Sequence, residues 1–244
     1  MAVESLKTPA RTVRIPDRRH RAFFPVMSLL LAVMVLIGFA PTYYLRPSAL
    51  PAIPFYLHLH GAALTLWFSF LIAQTLLISA GRRALHRRLG VSGAVLGGVI
   101  VTLTPFVVIW SVPSAVNTNT RPIELTTLIF FGDMIALVAF ATLLTLAVRM
   151  RRQPEAHSRL MWLASIPIVA PALGRASINL TGAPIPGLIV QMALPLLLIG
   201  HDWAMMRRVH PATRWGAAIV LGTMIFSIAF ASTETAQSIV RSLA

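Results

Sequence analysis

Four polar side chains lie within apolar segments at depths where they could form one site. Asp133 and Arg175 are ionisable, and an ionisable residue at membrane depth costs at least a few kcal/mol and marks a functional site by default. At 1.5 Å of helix rise per residue, both fall toward the same side of a hydrocarbon core of about 30 Å. Asn179 lies one turn beyond Arg175 on the same helix face, and His60 is expected at a similar depth.

These four residues predict a polar pocket for a small anionic or protonatable ligand. Arg175 would hold an anionic group or pair with Asp133, and Asp133 or His60 could take a proton. A purely structural Arg–Asp pair that joins two helices is the alternative, and the sequence leaves both open. Catalytic residues are not assigned, because the sequence contains no glycine-rich phosphate loop, zinc-protease motif or nucleophile elbow.

Haem b is the alternative cofactor, because the chain has seven histidines and no cysteine. A b-type haem in a helical bundle needs two axial nitrogens from different helices at one depth. His201 together with either His86 or His157 could supply them on the inner side. His58 and His60 lie on one segment, so they cannot hold a haem between them.

Seven apolar segments must position these residues. Apolar types make up 57% of the 244 residues and charged types 11%, against about 45–50% and about 25% in soluble domains. A membrane-spanning helix needs about 20 mainly apolar residues. We therefore predict an all-α integral membrane protein, a seven-helix transmembrane bundle with spans at Phe24–Leu45, Phe55–Ala80, Val91–Val112, Glu124–Met150, Arg159–Leu180, Leu188–Met206 and Trp215–Thr235.

The basic residues predict the orientation of the bundle. The chain has 21 Lys and Arg against seven Asp and Glu. With a cytoplasmic N-terminus, 17 basic residues fall on the inner side and three on the outer side, as the positive-inside rule requires. Membrane topology therefore explains the charge better than nucleic-acid binding does. The expected parts are a basic cytoplasmic N-terminal arm (1–23), a transmembrane domain (24–235) and a short outer tail (236–244).

Three predicted inner loops share a pattern of an Arg pair, a His and a further Arg, at 82–89, 151–160 and 207–214. The pattern predicts three repeated helical hairpins after a leading helix, since transporter folds are often built from repeats. The positive-inside rule alone would also place arginines in these inner loops, without any further function. The functional alternative is that these cytoplasmic Arg/His loops bind phosphate or anionic lipid head groups.

Proline positions make the fifth span the strongest candidate for a broken helix, with a plain kink as the alternative. Pro167 and Pro171 each remove a backbone hydrogen bond, and Gly174 follows them closely. Interrupted helices often mark binding sites in membrane proteins.

Short motifs resemble a group of uncharacterised multi-pass inner-membrane proteins of bacteria. They are His60-Gly61, Gly81-Arg82, the Leu-His-Arg-Arg-Leu-Gly stretch at 85–90 and the His-Pro-Ala-Thr-x-Trp-Gly stretch at 210–216. The resemblance covers roughly spans two to seven. It implies the bacterial inner membrane, and it carries no activity that could be transferred.

These observations favour a multi-pass inner-membrane protein with small-molecule or proton-linked binding or transport through an outer-facing intramembrane polar pocket. One alternative is a b-type haem membrane redox protein. A second alternative is a structural or assembly subunit of a membrane complex. The sequence does not decide whether the protein is an enzyme.

Overall fold

The computed structural model describes residues 18–48, 52–117 and 121–243, and these residues form helices without a β-strand. Predicted features of residues 1–17, including most of the basic arm, lie outside the described residues. The helices are α1 Arg18–Phe39, α2 Phe55–Ser79, α3 Arg83–Asn117, α4 Ile123–Arg149, α5 Pro154–Ser165, α6 Ala170–Thr181, α7 Ile185–Met206, α8 Pro211–Ala231 and α9 Glu234–Ser242.

Seven helices, or helix pairs, are long and apolar enough to cross a membrane, so the predicted seven-helix architecture is confirmed. A π-helical stretch at Ala40–Tyr44 directly follows α1 and continues the first span. α3 is longer than the predicted span because its arginine-rich start, outside the apolar stretch, is also helical. The last predicted span ends early, because α8 stops at Ala231. There the Thr233 side chain accepts the backbone N–H of Ala236 at 3.2 Å and begins α9.

The predicted break in the fifth span is confirmed. α5 stops at Ser165, a 3₁₀ turn covers Pro167–Val169, and α6 starts at Ala170. Pro167 and Pro171 have no backbone N–H, so two hydrogen bonds of a continuous α-helix cannot form here. The span therefore consists of two 12-residue helices that can point in different directions.

The two halves of the fifth span have different neighbours. α5 and the 3₁₀ turn pack closely on α4, whereas α6 has little contact with α4 and packs on α1 and α7 instead. Glycines allow this close approach: a Cβ at Gly38 of α1 would overlap the carbonyl of Ala172, and one at Gly187 of α7 would lie 2.6 Å from the carbonyl oxygen of Leu173. α6 is thereby held between α1 and α7.

The buried core lies at the centre of the bundle and extends toward the arginine-rich loops. It includes the fully buried side chains of Trp67, Phe140 and Trp162. The indole Nε1–H of Trp67 donates to the Ser165 hydroxyl at 3.1 Å, which joins α2 to the end of α5. Helices adjacent in sequence also pair in space as α2 with α3, α4 with α5, and α7 with α8. That these pairs are repeats of one hairpin stays a prediction.

Candidate functional site

A cavity of about 320 Å³ lies between α4, α6, α7 and α8, toward the end of the bundle opposite the arginine-rich loops. Its lining comes from the first half of α4, the last half of α8, the start of α7 and most of α6. The polar side chains in this lining are Thr42, Arg121, Asp133, Arg175, Asn179, Gln191, Thr223 and Ser227.

The break at Pro167 explains why a cavity exists here. Below the break, α5 and the 3₁₀ turn fill the space beside α4. Above it, α6 turns away to α1 and α7, and the gap between α4 and α6 has no backbone to fill it. Pro167 and Pro171 themselves line the cavity, so the sequence feature that interrupts the helix also forms the floor of the site.

Three of the four predicted site residues, Asp133, Arg175 and Asn179, line this cavity together. Asp133 and Arg175 do not form the expected direct ion pair, although Arg175 is close enough to act electrostatically on the carboxylate. The Arg175 guanidinium instead lies 5.0 Å from the centre of the Phe39 ring, in a cation–π contact with α1.

Several polar groups in the cavity have no hydrogen-bond partner among the residues that the structure describes. Among the residues that the structure describes, none hydrogen-bonds to the side chains of Asp133, Arg175 or Gln191. The Nε atom of Arg121 is also buried without a partner. Gln191 is only 6% exposed. Because buried polar groups in folded proteins are nearly always hydrogen-bonded, the buried groups of Gln191 and Arg121 are typical of a site that a ligand or water completes.

The sequence analysis missed two of these residues. Arg121 was counted only as an outer-side charge, but it lines the cavity and acts electrostatically on both Asp133 and Arg175. Gln191 is an amide inside the apolar segment of α7. A polar residue at that depth was a usable signal for Gln191, whereas nothing in the sequence placed Arg121 over this cavity.

His60 is not part of the cavity lining. It lies on α2, where its Nδ1 atom is buried without a hydrogen-bond partner. The prediction matched its depth to that of Asp133 and Arg175, but α2 does not border the cavity. Helix rise determines depth, and only packing determines which helices face each other.

The three histidines predicted to bind haem lie away from this cavity. His86 and His157 are neighbours, with ring centres 6.2 Å apart. His201, which was expected to pair with one of them, stacks on Phe23 of α1 at 3.8 Å. The Nδ1 atom of His157 lies 2.9 Å from the Ala147 carbonyl oxygen. The haem assignment stays a prediction.

A buried ion pair at the arginine-rich end was also missed by the sequence analysis. The sequence analysis counted Arg159 among the inner basic residues at the start of the fifth span, but its side chain and that of Asp202 are both 0% exposed. The guanidinium donates to the carboxylate from Nε at 3.0 Å and from Nη2 at 2.8 Å. The same carboxylate accepts the Thr213 hydroxyl and the His210 backbone N–H at 3.1 Å. This network joins α5, α7 and α8.

His210 caps α8 next to this network. Its Nδ1 atom accepts the backbone N–H of Ala212 at 3.1 Å, which a protonated imidazole could not do. Burial lowers the pKa of His210, and the positive charge of Arg159 lowers it further. The cap is therefore neutral at physiological pH, as its hydrogen bond requires.

Comparisons with known proteins found no matching family model, no matching curated protein and no matching solved structure. The fold and the site therefore define a class of protein: a bundle with seven helices long and apolar enough to span a membrane and a polar cavity in one half of the bundle.

Proposed function

We propose that the cavity binds a small anion, and that the protein carries or senses this anion at the outer face of the bacterial inner membrane. The observation that carries the proposal is the pair of arginines, Arg121 and Arg175, in one cavity without a direct ion pair to satisfy them. Asp133 is the single acidic side chain in the lining, so the ionised cavity has one excess positive charge.

The chemistry of the lining suits an anion. A guanidinium presents several N–H donors in a planar fork that matches carboxylate and phosphate groups. Hydrogen bonds with an ionised partner are about twice as strong as neutral ones, particularly in a site of low dielectric constant. The amides of Asn179 and Gln191 offer further donors, and Asp133 offers a group that can take up a proton when the anion arrives or leaves. These features support proton-linked binding or transport.

The orientation and the membrane form part of the proposal. The exposed arginines of the loops at 80–83, 150–153 and 207–210 favour the cytoplasmic side for that end. The cavity then opens toward the outside. The motif resemblance supports the bacterial inner membrane. We also propose that these arginines contact anionic lipid head groups, since basic side chains near a membrane surface are attracted to them.

Replacement of one cavity arginine tests the anion site. We expect Arg175→Gln to weaken binding of acetate, phosphate or sulfate roughly 10- to 100-fold, because a hydrogen bond to a charged group contributes about 1.5–3 kcal/mol. The measurement is anion-dependent thermal stabilisation of the purified protein at constant ionic strength. Bound ligand raises the free energy of unfolding by RT ln(1 + [L]/Kd).

Arg241→Gln is the matched control. It removes the same charge at the same end of the bundle, from an exposed residue of α9 that does not line the cavity. We expect this variant to bind anions as the wild-type protein does. If both variants lose stabilisation equally, or if no anion stabilises the wild-type protein, the proposal is wrong.

A further inference from the structure

The cavity changes character with depth. Arg121 and Asn179 lie near the end of the bundle opposite the arginine-rich loops, and Arg175 and Gln191 lie one to two turns deeper. Asp133 lies deeper still, one turn from Ala136 on α4. The deepest lining positions, counted along their helices, are apolar: Ala136 of α4, Pro167 and Ala170 at the helix break, and Val220 of α8. A ligand that fills this space meets both arginines toward its outer end and, beyond the Asp133 carboxyl group, apolar surface at its inner end.

The floor presents few hydrogen-bond donors to a charged group. The N-terminus of a helix usually attracts anions through its free N–H groups, and α6 begins at the floor. However, the N–H of Ala170 donates to the Pro167 carbonyl, and Pro171 has no N–H. The first two positions of α6 therefore offer no free N–H donor to an anion. The two arginines are the positively charged groups of the lining, and they favour an anionic group at the outer part of the cavity.

The charge and the volume limit the ligand further. When Asp133 is ionised, the two guanidinium groups and its carboxylate leave one positive charge, which a single negative charge on the ligand neutralises. A volume of about 320 Å³, at about 30 Å³ for each water-sized group, has room for on the order of ten such groups. A bare inorganic anion would leave the apolar floor unfilled.

We propose that the ligand is an amphiphilic organic monoanion, a monocarboxylate with a compact apolar chain. Its carboxylate lies between Arg121 and Arg175, and its chain extends toward Pro167 and Val220. This inference rests on the anion site proposed above and names its ligand class. The arginines bind the carboxylate, and burial of the apolar chain adds to the binding free energy, because each methylene group moved out of water contributes favourably.

A series of straight-chain carboxylates tests the inference. Thermal stabilisation of the purified protein is measured with acetate, butyrate and hexanoate at constant ionic strength. We expect the affinity to rise about three- to fourfold for each added methylene group. Hexylamine, hexanol and the dianion succinate should bind no better than acetate. The same series is measured with Arg175→Gln as a control. Longer carboxylates also partition into detergent, and this effect should be equal in the variant and the wild-type protein.

Glycine positions provide a steric test of where the chain lies. Gly174 of α6 and Gly132 of α4 line the cavity, and a Cβ at either position would meet no atom within 4 Å. We expect Gly174→Leu to abolish the advantage of hexanoate while acetate still binds. Gly132→Leu is the second variant, should Gly174→Leu fail to fold. Gly98→Leu, at an exposed position of α3 with equally open surroundings, is the control.

The outcomes separate the two proposals. If acetate or phosphate binds through Arg175 but hexanoate binds no better than acetate, the ligand class is wrong and the anion site stands. An unchanged preference for hexanoate in both leucine variants would also overturn the inference. If no carboxylate and no inorganic anion binds, the anion site itself is wrong.

Discussion

Arg159 and Asp202 show at the residue scale how this bundle accommodates buried charge. Both side chains are fully buried, and the carboxylate accepts hydrogen bonds from Arg159, Thr213 and the backbone of His210. Loss of one partner of a buried ion pair leaves the other charge without compensation. The pair therefore holds three helices together at the arginine-rich end, opposite the cavity.

We expect Asp202→Asn to lower the free energy of unfolding by about 3–5 kcal/mol, because the buried guanidinium of Arg159 loses its counter-charge. Denaturant-induced unfolding of the purified protein measures the change. Glu155 also forms an ion pair with Arg159, but its side chain is 56% exposed. Glu155→Gln should therefore lower the free energy of unfolding by less than about 1 kcal/mol. Equal losses in the two variants would show that burial of the pair is unimportant.

At the element scale, the cavity depends on the position of α6. The break at Pro167 permits the change of direction, and close contacts at Gly38 and Gly187 hold α6 against α1 and α7. Small residues allow helix backbones to approach closely in membranes, where packing rather than water drives association. The same contacts keep α6 away from α4, and so keep the cavity open.

Gly38→Ala should destabilise the protein by about 1–3 kcal/mol, the usual cost of forcing extra atoms into a packed contact. The Cβ would overlap the backbone carbonyl of Ala172, which cannot move as a side chain can. Gly98→Ala, where a Cβ meets nothing within 4 Å, is the control and should not destabilise. The melting temperatures of the two variants test the contact, and a similar melting temperature would argue against it.

At the scale of the whole molecule, the arginines define two different ends. The loops at 80–83, 150–153 and 207–210 expose arginines, and the cavity lies toward the other end. Because translocation of arginine is unfavourable, the arginine-rich end is expected to remain in the cytoplasm. The polar opening of the cavity would then face the outside, as the proposed function requires.

The absence of cysteine makes the orientation simple to test. Gln153→Cys and Ser232→Cys each introduce one thiol at an exposed position, on opposite ends of the bundle. A membrane-impermeant maleimide applied to cells with a permeable outer envelope should label Ser232→Cys and not Gln153→Cys. Labelling in the reverse pattern would invert the topology and place the cavity toward the cytoplasm.

Composition and spacing along the chain were sufficient for the number of apolar helices and the break in the fifth span, and they selected Asp133, Arg175 and Asn179, which line one cavity. These properties are local: lipid requires apolar stretches of a certain length, proline removes a hydrogen bond, and each helical residue adds 1.5 Å. A chain with this pattern has few other ways to form hydrogen bonds with all of its backbone N–H and C=O groups in a membrane.

Only the tertiary structure decided which helices border the cavity. In the structure His60 does not line the cavity, Arg121 and Gln191 do, and the side chain of Arg159 is buried. The rotation of each helix and the choice of its neighbours depend on contacts between residues far apart in the chain, such as Gly38 with Ala172. Depth follows from position along one helix, whereas a site requires several helices to turn the correct faces toward each other.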